Sequence, residues 1–107
     1  MANTYVNAKL DLTTTNITTL YTCAALTKGI VKSILVAEDS GNADTITVTL
    51  TNSSSSVFTL FNVKSVAANT TVELLSAPLV LEAGDILKAT AATANRLHVV
   101  ASILEVT

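Results

Sequence analysis

The stretch that most constrains the fold runs from Ala77 to Ala91, APLVLEAGDILKATA. It reads as strand, tight turn, strand. Pro78 suits the first position of a strand, where no ladder donor is needed. Leu79, Val80 and Leu81 form an apolar run bounded by turn residues. In Glu82-Ala83-Gly84-Asp85, Gly84 is free to take a positive φ and Asp85 can bond its own backbone. From Ile86 the chain alternates again, with Leu87, Ala89 and Ala91 on one face and Lys88 and Thr90 on the other. The expectation is an antiparallel hairpin that carries no chemistry of its own.

The same grammar extends along the chain. Thr45 to Thr51 alternates without a break, Ile46, Val48 and Leu50 inward and four threonines outward. Further strands are expected at Asn3–Leu12, Ile17–Cys23, Gly29–Glu38, Val57–Val63, Thr70–Leu75 and Leu97–Val106, separated by turn clusters such as Asp39–Asp44 and Asn52–Ser56. Phe58 and Phe61 are expected on opposite faces of their strand. Gly29–Glu38 is apolar on both faces, with Ile30, Ile34 and Val36 set against Val31, Leu35 and Ala37. Such a strand is central or covered by a partner. No stretch keeps helical periodicity over ten or more residues. Eight to nine strands at spacings of roughly 8–12 residues predict an all-β fold: a single-domain antiparallel β-sandwich, jelly-roll-like. Residues 1–12 form an N-terminal arm or edge strand and residues 13–107 the sandwich.

Composition matters because it is unusual for a small solvated domain. The 107 residues are 50 % hydrophobic and 13 % charged, against roughly 25 % charged in an average domain. Mean hydropathy is +0.55. A domain this small leaves much of its surface exposed, so the apolar surplus is expected to meet a partner. The closing strand sharpens this. Leu97, Val99, Ala101 and Ile103 make one apolar face, and Val100, Leu104 and Val106 much of the other, broken by His98 and Ser102. One side is expected to pack on another subunit; the alternative is a central strand covered within its own subunit. Candidate oligomer or capsid interface residues are Tyr5, Val6, Leu10, Val100, Leu104 and Val106.

The net charge is −2, with no basic cluster, so no nucleic-acid partner is expected. No apolar run reaches the roughly 18 residues of a membrane helix, and no membrane partner is expected. The first residues lack a signal-peptide layout, which predicts synthesis in the cytoplasm. The single cysteine, Cys23, reads as a small buried strand residue.

Candidate chemistry is sparse, and no enzyme, cofactor or metal is expected. His98, the only histidine, has no acid or nucleophile at a useful local spacing. Glu38, Asp39 and Asp44 flank Gly41 and could offer oxygens for calcium, but their spacing is not that of a helix-loop-helix calcium loop and acids at both ends of a turn are normal turn chemistry, so the turn reading is preferred. Glu82 and Asp85 share a turn without evidence of a pocket. Asn16, Asn52 and Asn69 begin glycosylation sequons in a chain rich in Asn, Ser and Thr. Four aromatics, Tyr5, Tyr21, Phe58 and Phe61, are too few for a stacking platform.

Two stretches, GIVKSILVAEDSGNADTITVTL (residues 29–50) and ELLSAPLVLEAGDILKATA (residues 73–91), resemble small β-sandwich structural proteins of tailed-bacteriophage virions. The resemblance implies a non-enzymatic virion protein: a capsid decoration (cement) protein, a trimer, clamping major capsid subunits. It would be made in the host cytoplasm and reside in the virion, with itself and the major capsid protein or another virion protein as partners. Burial of apolar surface and strand addition by the arm would supply the binding. The alternatives are a tail, baseplate or fibre-base component, or a module binding host-surface glycans or calcium.

Overall fold

The structure, a computed structural model, describes residues 2–107. Of the residues 1–12 read as an arm or edge strand, Met1 lies outside the described residues. Nine strands follow in order: β1 Asn3–Asp11, β2 Thr18–Thr22, β3 Lys28–Glu38, β4 Asp44–Thr51, β5 Val57–Val66, β6 Thr71–Glu73, β7 Leu79–Leu81, β8 Ile86–Ala91 and β9 Leu97–Val106. They form two antiparallel sheets. The first has the order β1-β9-β3-β6, with β7 also paired to β3; the second has the order β2-β8-β4-β5. With the short β7 set aside, the remaining eight strands follow the winding of a jelly roll. β1 is an edge strand of this sandwich, paired with β9 from Asn3↔Val106 to Asp11↔His98.

The sheets close over a core that the alternation supplies directly. Ile46 and Val48 of β4, Leu87 and Ala89 of β8, and Val99 and Ile103 of β9 are fully buried. Cys23 is buried just beyond β2, its thiol against the carbonyls of Thr27 and Leu81. Burial pushes its pKa up, with the nearby Asp85 and Glu105 charges adding to the rise.

The stretch Ala77–Ala91 is not a hairpin. β7 pairs with β3 in one sheet, and β8 pairs with β2 and β4 in the other. The turn between them has the expected local chemistry. Gly84 has φ +89°, the Asp85 N–H donates to the Glu82 carbonyl at 3.0 Å, and the Asp85 carboxylate accepts from the Glu82 N–H at 2.8 Å. What decides the partner is not local. The Gly84 N–H donates to the Cys23 carbonyl at 2.9 Å, and the Cys23 N–H to the Asp85 carbonyl at 2.8 Å. These two bonds hold the turn against the end of β2, so β8 joins β2 and the chain crosses between sheets.

β3 also departs from its expected phase. A bulge between Val31 and Ser33 shifts its register against β9. Val31 therefore points inward with Ile34 and Val36, while Ile30 and Leu35 point outward. β6 and β7 pair with opposite ends of β3, and the Glu73 carboxylate bridges the break between them. It accepts from the Ile34 N–H at 2.8 Å, the Leu75 N–H at 3.2 Å and the Ser33 hydroxyl. Burial alone would raise its pKa; these hydrogen bonds outweigh burial and lower it.

Candidate interaction surface

The outer face of the first sheet is built by register. Tyr5 pairs with Leu104, Leu104 with Ile30, and Ile30 with Val80. Because directly paired residues share a face, these four side chains form one apolar row across β1, β9, β3 and β7. Four residues along the strands the row Lys9, Val100, Leu35, Glu73 runs parallel to it, and Asn7, Ser102 and Ser33 lie between. Tyr5 is 74 % exposed, Val80 57 %, Leu35 40 % and Val100 37 %; Ile30, Leu104 and Val106 are half-buried.

Of the six residues expected at an interface, Tyr5, Val100, Leu104 and Val106 lie on this face. Val6 and Leu10 do not. They sit on the opposite face of β1, packed against the core, because alternation sends even positions of β1 inward. β9 is central in its sheet, flanked by β1 and β3; its inner face is buried and its outer face is open to solvent. Ile30, Leu35 and Val80 join this surface through the β3 bulge and the β7 pairing, neither of which a local pattern reveals.

Polar groups border the face at one end. His98 Nε2 lies 3.2 Å from Asp11 Oδ1, and its Nδ1 lies 3.6 Å from Asp39 Oδ2. All three side chains are largely exposed. The acid partners that local spacing does not provide thus come from across the sheet, through the Asp11↔His98 pairing and the turn after β3. At the other end, Leu26 stands 93 % exposed at φ +59°. It overhangs a shallow cleft of about 470 Å³ lined by Thr27, Ala83 and Val106. The Lys28–Glu82 ion pair, 3.9 Å apart, borders the same cleft.

The remaining carboxylates near Gly41 have separate structural tasks. Glu38 is buried and accepts hydrogen bonds from the Ser40 hydroxyl, the Ser40 N–H at 2.8 Å, and the Gly41 and Asn69 N–H groups at 3.1 Å each. Burial opposes ionisation, but these donors outweigh it and lower the pKa to about 2. Asp44 accepts from Thr45 N–H at 2.8 Å and Thr93 N–H at 3.0 Å, and Asp39 faces His98. Glu82 and Asp85 border a polar cleft of about 320 Å³, yet Glu82 faces Lys28 while Asp85 holds its own turn. Among the sequons, Asn52 caps its loop by accepting from Ser54 and Ser56 N–H, both at 3.0 Å. Of the aromatics, Phe61 packs on the core and Phe58 is 53 % exposed.

No family model matches the chain, and no curated protein matches it. Among solved structures it is similar to the CBM22-1–GH10 modules of the N-terminal endo-1,4-β-D-xylanase 10B of Clostridium thermocellum, complexed with xylohexaose. Identity is 9 %, the TM-score is 0.43, and the match covers 96 % of this chain and 24 % of that one. The chain therefore spans about a quarter of that protein's length, and a likeness at this level carries no argument about function.

Proposed function

We propose that this protein is a non-enzymatic structural component of a tailed-bacteriophage virion, a capsid decoration protein that binds over major capsid subunits. The observation that carries the reading is the uncovered apolar row Tyr5–Leu104–Ile30–Val80, in a chain with only 13 % charged residues. The likeness of residues 29–50 and 73–91 to virion β-sandwich proteins supports it. Each apolar side chain fully buried on binding contributes about 1.5–3 kcal/mol. A face of such side chains with few charges to desolvate suits a permanent interface better than a reversible one. The neighbouring polar row of Asn7, Ser102 and Ser33 supplies hydrogen-bonding groups within the same footprint.

The test is co-sedimentation of the purified protein with heads assembled from the major capsid protein of the same genome. Saturable binding that raises the temperature at which heads come apart is the expected result. Failure to bind heads, with binding to tail assemblies instead, would move the protein to the tail.

A further inference from the structure

We propose that the open edge of β1 pairs with β1 of a second copy, antiparallel and centred on Asn7, to join two sandwiches across a two-fold axis. This does not rest on the virion reading; it follows from the strand itself.

The ladder shows which groups are free. The Thr107 N–H donates to the Ala2 carbonyl at 3.0 Å and the Leu12 N–H to the Leu97 carbonyl at 3.1 Å. In an antiparallel pair every second residue bonds its partner. Ala2, Thr4, Val6, Ala8, Leu10 and Leu12 therefore face β9. The N–H and C=O groups of Asn3, Tyr5, Asn7 and Lys9, and the N–H of Asp11, point away from it; the Asp11 carbonyl accepts from Thr13 at 2.9 Å. No described strand pairs with this edge.

The other long edge is protected and β1 is not. β5 has two register shifts against β4, and Val63 sits at φ +50° with its N–H donating to the Thr47 hydroxyl at 3.1 Å. Bulges of this kind blunt an edge against pairing. β1 keeps unbroken register over nine residues.

The sequence of β1 is self-complementary about Asn7. In that register Asn7 meets Asn7, Lys9 meets the partner copy's tyrosine at position 5, and Asp11 meets its asparagine at position 3. Both charges find polar or aromatic partners, and lysine over a tyrosine ring is favourable. On the inner face Val6 meets alanine and Leu10 meets threonine. Sliding by one residue sets bonding positions against non-bonding ones and turns the partner's faces over. Recentring on Lys9 places two lysines opposite each other. Only the Asn7 register uses the whole strand without such a conflict; it continues the Tyr5 row of each copy into the Lys9 row of the other. The symmetry is isologous and gives even-numbered assemblies, unlike the trimer that the family resemblance implies.

The experiment measures mass in solution by light scattering on the full chain. Twice the 11.1 kDa chain mass is expected; a monomer or a trimer overturns the proposal. Asn7→Pro removes only an outward N–H, so a folded, monomeric variant is expected, and a folded dimer overturns the pairing. Should that variant not fold, Asn7→Lys sets like charges across the axis and decides in its place, with the same two outcomes. Asn7→Cys fixes the register: Cα atoms of a bonded pair lie about 5.5 Å apart, within disulfide reach. A covalent dimer on mild oxidation supports the Asn7 register, and a variant that stays uncrosslinked overturns it.

Discussion

The Tyr21 hydroxyl donates a hydrogen bond to the Glu105 carboxylate, joining β2 of one sheet to β9 of the other across 84 positions of sequence. Burial, with this bond and the Glu105 charge, holds the Tyr21 phenol well above its ordinary value of 10.0. Tyr21→Phe is expected to cost about 1–2 kcal/mol in urea unfolding. The sign of the pH effect follows from the raised pKa. The contribution is complete below the unfolded value and is lost as pH rises above about 10. The wild-type melting temperature should therefore fall more steeply on the alkaline side than that of Tyr21→Phe.

Glu38 gives the opposite dependence. Its pKa is lowered from 4.5 to about 2, so its contribution is complete above 4.5 and is lost as pH falls through that window. Glu38→Gln keeps the shape but cannot accept from all four donors. It should melt several degrees lower at pH 7 and lose much of the acid dependence between pH 4.5 and 2. Thermal melts across that range check both points.

Two glycines separate strain from crowding. Gly41 has φ +83° and open space where a Cβ would sit, whereas at Gly84, φ +89°, a Cβ would lie 2.9 Å from Ser53 Cβ. Gly41→Ala is expected to cost about 1 kcal/mol. Gly84→Ala carries the same backbone strain plus a clash and should cost about 2–3 kcal/mol. Chemical denaturation of the two variants measures the difference.

Strand positions are legible because period-2 alternation and turn residues are local signals. Thr45–Thr51 and Leu97–Val106 keep their inward and outward faces, and the outward Val100, Leu104 and Val106 are exposed or half-buried. Pairing is less legible. The Glu82–Asp85 turn has the same local chemistry in a hairpin as in a crossover, and bonds to Cys23 decide between them. The bulge after Val31 changes which side of β3 faces out, and alternation alone cannot place it. Apolarity groups Val6 and Leu10 with Tyr5, although their even positions send them to the core. Asp11 and His98 meet only because β1 and β9 pair end to end.

The central claim is that the outer face of the β1-β9-β3-β7 layer is a binding surface, and paired substitutions test it most directly. Leu104→Asp lies within the apolar row; Val57→Asp, at an exposed site on β5 of the other sheet, serves as the matched control. Both variants should fold and melt close to wild type. In head-binding titrations, Leu104→Asp is predicted to weaken affinity by about 10- to 100-fold, the equivalent of one buried leucine, while Val57→Asp binds like wild type. Equal binding by wild type and Leu104→Asp would contradict the account.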